Sequence, residues 1–185
     1  KGNFPIEKQI IFNKKVAQKI GFDFQSGRMD QSVHPFSTSF HPSDSRITTR
    51  YEKRDVLSSI GTTIHEVGHA LYEQGLPAKH FGTPLAESVS YGIHESQSRL
   101  WENMIGKSFA FWQYFYPQLK KEFPAPFKNI TLNEFYKTIN CVRPSLIRVE
   151  ADEVTYNLHI VMRFEVERDL IENKISAKDL PEIWN

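Results

Sequence analysis

Apolar residues recur at helical spacing along most of the chain, and this pattern predicts a mainly α-helical fold. A stretch from about residue 22 to residue 51 lacks the helical period and carries prolines and clustered serines and threonines. Within it, residues 47–51 are rich in β-forming side chains and predict a short strand. Helices are predicted over residues 4–20, 55–74, 84–105, 109–119, 132–139, 152–173 and 177–184.

Two of these helices carry apolar stripes that predict a buried face. In the helix over 55–74 the stripe consists of Ile60, Ile64, Val67 and Leu71, and Gly75 supplies a stop signal. In the helix over 152–173 we expect five side chains to face the core: Val154, Leu158, Val161, Phe164 and Leu170.

Composition narrows the classes of function. The 185 residues carry 23 Lys+Arg and 22 Asp+Glu, a formal net charge of +1, so we expect neither a nucleic-acid nor a membrane partner. No apolar run reaches the length of a transmembrane helix. The single cysteine, Cys141, rules out an internal disulfide and favours a reducing, cytoplasmic location. We expect it to be a small buried apolar residue rather than a nucleophile.

The most informative motif is H-E-V-G-H at residues 65–69, inside the helix over 55–74. His65 and His69 are four residues apart and share one helix face, so both imidazoles can bind one metal ion. Glu66 points to a neighbouring face, where a carboxylate can act as a base beside the metal. The alternative is two ordinary helical histidines, one exposed and one buried.

A catalytic zinc ion needs a third protein ligand, and Glu95 is the best candidate. It lies on the next predicted helix, which we expect to begin at Pro84 after Thr83 as N-cap and to pack against the first. The alternative is that Glu95 is a solvated surface acid. His94 is a weaker candidate, because it points elsewhere when Glu95 faces the metal.

The chain resembles the M32 carboxypeptidases, the carboxypeptidase Taq type of metallopeptidase. The helix motif continues as A-L-Y-E-Q-G over 70–75, as in that family. The five motifs that carry the resemblance, in order, are H-P-F at 34–36, D-S-R-I-T at 44–48, H-E-V-G-H at 65–69, H-E-S-Q-S at 94–98 and I-R-V-E-A-D at 147–152.

The resemblance implies a mainly α fold with a gluzincin-type helix pair and a small β element near the site. It also implies a single catalytic-core piece over residues 1–185, acting as a zinc carboxypeptidase with cobalt as a second candidate metal. The ligands would be His65, His69 and Glu95, with Glu66 as general base. The substrate would be a peptide with a free C-terminus, and a homodimer is suggested.

Four residues are candidates for binding the substrate. An arginine suits the terminal carboxylate; Arg148 is the first candidate, because the resemblance places its motif at the active site, and Arg46 is the second. The alternatives are an Arg148–Asp152 bridge and an Asp44–Arg46 ion pair. The resemblance also places Asp44 and the strand around it beside the cleft, as an edge that holds an extended peptide. His34 either contacts substrate or is an ordinary loop histidine.

One family motif, G-x-x-Q-D-x-H-W, is absent, so the sequence is expected to be an internal, C-terminally truncated piece of a longer enzyme. Two other functions therefore stay open. One is a different helical metallopeptidase that cuts internally or from the N-terminus, and the other is a non-catalytic piece that retains the metal-site helices. The groups that support the ligand histidines are not ranked by sequence; Glu73, Glu87 and Asp152 are all available.

Overall fold

The computed structural model describes residues 2–184, apart from the side chain of Glu150. It is mainly helical with a small β element, as predicted, and the β element is a three-stranded sheet. The chain divides into two compact units, Lys1–Tyr136 and Lys137–Asn185. The expectation of a single catalytic-core piece over 1–185 stays a prediction.

The first unit holds the sheet and the two helices that carry the candidate metal ligands. Its elements follow in order: α1 (Ile6–Lys19), β1 (Gly27–Gln31), β2 (Ser37–His41), β3 (Asp44–Thr49), α2 (Val56–Gln74), α3 (Tyr91–Arg99), a π-helical turn (Leu100–Ile105), α4 (Phe109–Glu122), α5 (Pro124–Phe127) and α6 (Leu132–Ile139), whose last residues belong to the second unit.

The sheet has the strand order β1-β3-β2, with β3 parallel to β1 and antiparallel to β2. The strand predicted at 47–51 is β3, which begins three residues earlier and ends at Thr49. Strands β1 and β2 were not predicted, because most of their side chains are polar and only partly buried. Since β3 lies between the other two strands, it is not the edge strand that the sequence suggested.

Helix α2 packs against the sheet and forms the centre of the core. Asp55 caps it by accepting a hydrogen bond from the Ser58 backbone amide at 3.0 Å. The core that joins the sheet to α1 and α2 consists of Ala17, Phe22, Met29, Ile47, Tyr51, Val67 and Ala70. The predicted helix and its buried stripe are confirmed, apart from Leu71, which is partly exposed.

The second ligand helix is shorter than predicted. The segment from Pro84 to Ala86 forms one 3₁₀ turn, and α3 begins only at Tyr91. The N-cap is Ser90, whose hydroxyl accepts a hydrogen bond from the Ile93 amide at 3.2 Å, and not Thr83. Beyond Arg99 the helix widens into the π-helical turn before it ends.

The second unit contains α7 (Glu153–Ile171) and α8 (Leu180–Ile183). The prediction that α7 buries its apolar stripe is wrong: none of its residues is buried, and Phe164 is 64% exposed. Cys141 is also exposed, contrary to expectation. The last helix begins only at Leu180 and is shorter than predicted, and the Ser176 hydroxyl donates a hydrogen bond to Asp179. Among the described residues, no helix is both long and apolar enough to span a bilayer.

Candidate metal centre

Helix α2 brings the two motif histidines to one face, as the four-residue spacing requires. The ring centroids of His65 and His69 lie 4.9 Å apart. Both rings are mostly buried, with 19% and 15% of their side-chain surfaces exposed. The two imidazoles therefore lie side by side, both largely buried, rather than dividing between core and solvent.

Glu95 on α3 completes the group. Its Oε2 atom lies 3.3 Å from His69 Nε2 and 3.8 Å from His65 Nε2. One ligand atom from each of the three residues falls within a span of 4.8 Å, and no other such group was found among the described residues. Donors about 2.0–2.2 Å from a tetrahedral zinc ion lie roughly 3.3–3.5 Å apart, so this donor set fits zinc in chemistry and spacing.

Glu66 lies beside these three residues and is 7% exposed. Burial raises the pKa of its carboxyl group, against the opposing effect of the neighbouring His65 and His69. In Glu95, burial acts in the same direction, but the hydrogen bond to His69 and the charges of His65 and Arg99 lower the pKa to about 2. One carboxylate is therefore strongly ionised, as a ligand must be, while the other is tuned toward proton uptake.

A second carboxylate holds the His65 ring from the other side. Glu102 Oε2 lies 2.8 Å from His65 Nδ1 and accepts a hydrogen bond from Arg99 Nη1 at 3.0 Å. Arg99 Nε also donates to Glu95 Oε1 at 3.0 Å. Burial alone would lower the pKa of His65 and raise that of Glu102; their hydrogen bond and opposite charges reverse both shifts. Arg99 thus joins the ligand carboxylate to the supporting one.

The His69 ring has a different neighbour. Its Nδ1 atom lies 2.6 Å from His94 Nδ1, and His94 Nε2 lies 2.7 Å from Glu73 Oε1. The sequence suggested that His94 points away from the site, but in the structure it points toward His69. It contacts the nitrogen of His69 that faces away from Glu95, and it is not part of the candidate ligand group.

The two ligand helices meet backbone to backbone at Gly68. A methyl group on this residue would lie 2.6 Å from Ser98 Cα and 2.9 Å from the Gln97 carbonyl oxygen. Only a glycine allows this approach, because every other residue would push α3 away. The close contact brings Glu95 within reach of both histidines.

Three of the predicted substrate-binding residues lie on or beside the sheet. Asp44 and Arg46 form an exposed ion pair at 2.8 Å, whose hydrogen bond lowers the pKa of the Asp44 carboxyl. The Arg46 guanidinium also lies over the Phe40 ring, 5.0 Å from its centroid. His34 is exposed in the loop before β2. Their roles toward substrate stay predictions, and the ion pair is the arrangement that the alternative described.

The H-P-F and D-S-R-I-T motifs are joined by Thr48. Its hydroxyl accepts a hydrogen bond from the Phe36 amide at 3.0 Å, while the Thr48 amide donates to the Phe36 carbonyl at 2.9 Å. Ser32 Oγ lies 2.6 Å from the same hydroxyl. The two motifs therefore form one folded turn that positions the start of β2.

Arg148 belongs to the second unit. Its guanidinium donates a hydrogen bond to the Tyr156 hydroxyl and lies 5.4 Å from the centroid of that ring. Asp152 instead caps α7 by accepting from the Val154 and Thr155 amides. No Arg148–Asp152 ion pair occurs in the described part of the chain, and the binding role of Arg148 stays a prediction.

Sequence reasoning missed Glu102 and the supporting position of His94. Glu102 follows Glu95 by seven residues and Arg99 by three, a spacing that keeps all three on one helical face. That spacing was a usable signal. Of the acids named as available supports, Glu73 contacts His94, whereas Glu87 is exposed.

The family profile described as carboxypeptidase Taq (M32) metallopeptidase matches residues 1–185. The chain belongs to the M32 metallopeptidase family. It is 49% identical to thermostable carboxypeptidase 1 of Thermus thermophilus over 98% of this chain and 35% of that protein. It is 47% identical to carboxypeptidase 1 of Bacillus subtilis over 98% of this chain and 36% of that protein.

A solved structure gives the same result for the fold. The M32 carboxypeptidase of Deinococcus radiodurans R1 superposes with a TM-score of 0.94 at 46% identity, over 98% of this chain and 37% of that one. The M32 chain described here therefore spans about a third of the length of the relatives that it matches. The family resemblance inferred from the five motifs is confirmed.

Proposed function

We propose that this M32 chain carries the catalytic centre of a zinc-dependent carboxypeptidase, with His65, His69 and Glu95 as the metal ligands. The observation that carries the proposal is the convergence of these three donors beside the buried carboxyl group of Glu66. The names of the relatives support peptide cleavage from the C-terminus. Zinc is the expected ion, and cobalt is the second candidate.

A bound zinc ion would supply Lewis-acid chemistry, lowering the pKa of a water molecule and polarising a carbonyl group. The chain itself supplies the proton transfers. We assign Glu66 as the base that removes the proton of the attacking water and then delivers it to the leaving amine. Its raised pKa suits this double role, since the same carboxyl group must accept and later release a proton.

An edge strand that contacts the metal helix supports binding of an extended peptide. Strand β2 pairs with β3 on one side only and packs against α2. Its other edge has no partner strand within residues 2–184, so it offers backbone groups for β-augmentation. The peptide-binding edge is thus assigned to Ser37–His41 and no longer to β3. Arg46 and Arg148 remain the candidates for the terminal carboxylate, with Asp44 and His34 as further contacts.

The test uses the 185-residue chain loaded with Zn²⁺ and an N-acetylated peptide, with products followed by mass spectrometry. A ladder of peptides shortened from the C-terminus supports the carboxypeptidase. Glu66→Gln should retain zinc and lose turnover by about 10²–10⁴-fold, because the general base is gone. Glu87→Gln, at an exposed acid, is the matched control and should behave as the wild type.

The two alternative functions give different results. Internal cuts in the acetylated peptide, or cutting of unblocked peptides only, would indicate the endopeptidase or aminopeptidase. Zinc binding without turnover would favour the non-catalytic piece. Normal turnover by Glu66→Gln would refute the assignment of the base.

A further inference from the structure

His94 lies between two residues of α2 and contacts both. His69 and Glu73 are one helical turn apart, and the His94 imidazole inserts from α3 between them. The contacts measure 2.6 Å from His69 Nδ1 to His94 Nδ1 and 2.7 Å from His94 Nε2 to Glu73 Oε1. The His94 and Glu73 side chains are each 21% exposed, so the contacts are largely shielded from water.

Metal binding fixes the direction of these hydrogen bonds. His69 directs Nε2 toward Glu95, so that nitrogen must offer its lone pair to a metal ion and Nδ1 must carry the proton. A separation of 2.6 Å between two Nδ1 atoms holds one proton, and His69 therefore donates to His94. His94 then keeps its own proton on Nε2 and donates it to Glu73.

We infer that His94 is a positioning residue that orients His69 and links it to Glu73, so that His69–His94–Glu73 forms a relay of fixed tautomers. The inference rests on the proposed function, since it assumes that His69 is a ligand. Supporting partners of this kind typically change metal affinity by about 10–100-fold. Here the support is an imidazole that is adjacent in sequence to the ligand Glu95.

The surroundings hold His94 in the required orientation. The Tyr72 ring packs edge-on against it at 5.3 Å between centroids, and the Tyr72 hydroxyl accepts a hydrogen bond from the Val89 amide at 3.3 Å. The rings of His69 and His94 lie 4.7 Å apart at 40°. The relay therefore joins α2, α3 and the segment before α3 at one point.

The experiment measures Zn²⁺ affinity of the 185-residue chain by competition with a chelator. His94→Leu fills similar space but accepts no hydrogen bond, and we expect affinity to fall by about 10-fold or more. His94→Asn should restore much of the loss, because its side-chain oxygen can accept from His69 Nδ1. Glu73→Gln should lose less than His94→Leu, since an amide oxygen still accepts from His94. His80→Asn and Glu87→Gln are the matched controls.

Two further readouts separate positioning from general stability. The absorption bands of bound Co²⁺ should change in His94→Leu and return toward wild type in His94→Asn. Nitrogen-15 NMR of the Zn²⁺-loaded wild type should show His94 protonated on Nε2 and His69 on Nδ1. Thermal unfolding of the metal-free variants shows whether each one folds.

The outcomes distinguish the two proposals. A wild-type chain that binds no Zn²⁺ would overturn the proposed function itself. If the wild type binds and His94→Leu binds equally well with unchanged Co²⁺ bands, the relay alone is refuted. A His94 ring protonated on Nδ1 in the loaded wild type would also refute it.

Discussion

The two proposed ligand histidines of α2 are one turn apart, yet the chain supports them in different ways. The His65 ring contacts a carboxylate directly, and Arg99 connects that Glu102 carboxylate to the ligand Glu95. The His69 ring contacts a second imidazole, His94, and reaches a carboxylate only through it. Both arrangements fix a tautomer and a ring orientation. Only at His65 is the supporting group a carboxylate, that of Glu102, in direct contact with the ring.

This difference predicts unequal contributions to metal binding. An ionised carboxylate on Nδ1 raises the basicity of the ligand imidazole, whereas a neutral imidazole mainly orients it. Loss of the support for His65, which is Glu102, should therefore lower zinc affinity more than loss of the support for His69, which is His94. The contribution of His94 should come mainly from orienting the His69 ring.

The largest loss of zinc affinity is expected from a substitution that disturbs the supports of both histidines at once. In Gly68→Ala the new methyl group meets the backbone of Ser98 at 2.6 Å, so α3 must move with Glu95 and His94. Overpacking of this kind costs about 1–3 kcal/mol of stability, and we expect Zn²⁺ affinity to fall further than in any single supporting variant. Urea unfolding and chelator competition measure the two effects.

Gly61→Ala is the control for this change, because it lies in the same helix and its added methyl group would meet nothing within 4 Å. It should stabilise the chain by up to about 1 kcal/mol through helix propensity and leave the metal site unchanged. Equal behaviour of the two alanine variants would contradict the close approach at Gly68.

The next effect concerns the charged side alone. Glu102→Ala should reduce Zn²⁺ affinity by close to 100-fold, at the upper end for a supporting residue, because His65 and Arg99 both lose their shared carboxylate. Chelator competition checks this value against His94→Leu and against Glu87→Ala. A smaller loss for Glu102→Ala than for His94→Leu would reverse the ranking of the two sides.

The smallest expected effect is a deviation from additivity, which tests whether the support of His65 and the support of His69 act independently. Glu73 and Glu102 have no hydrogen-bond partner in common among the described contacts. The losses in zinc-binding free energy for Glu73→Gln and Glu102→Gln should therefore add to within about 0.5 kcal/mol in the double variant. Glu73→Gln combined with His94→Asn should deviate more, because these residues act in series. Isothermal titration with Zn²⁺ measures the binding free energy of every variant. If the two double variants deviate equally from additivity, the two sides form a single coupled network and the prediction of independence is wrong.

The convergence of the three candidate metal ligands could be predicted from the sequence because their spacing encodes their geometry. His65 and His69 share a face in any α-helix, and Glu95 followed from the need for a third ligand. The supporting residues were harder to predict. The contact of His94 depends on how far α3 approaches α2, which Gly68 determines, and spacing along one helix carries no information about that distance. For Glu102 the spacing from Glu95 and Arg99 was a usable signal, although no local pattern indicated the π-helical turn in which it lies.

Helices α2 and α7 show the same limit for the fold. Both have 19 residues and both carry apolar residues from which a buried face was predicted. The face of α2 is buried against the sheet, whereas Val161 and Phe164 of α7 are 53% and 64% exposed. Periodicity states which residues share a face, but it does not state what that face contacts. Strands β1 and β2 escaped prediction for a related reason, since their polar residues are only partly buried.

The two edges of the sheet differ in the charge that they carry. Strand β1 carries the exposed ion pair of Arg28 and Asp30, and charges of this kind discourage edge-to-edge association. Strand β2, with the sequence S-T-S-F-H, has no such charge. A free strand edge that can pair with an extended peptide can also pair with strand β2 of a second molecule, because its backbone N–H and C=O groups bind either one in the same way. If the β2 edge binds peptides as proposed, we expect aggregation during storage and affinity for extended peptides to depend on the same row of backbone groups.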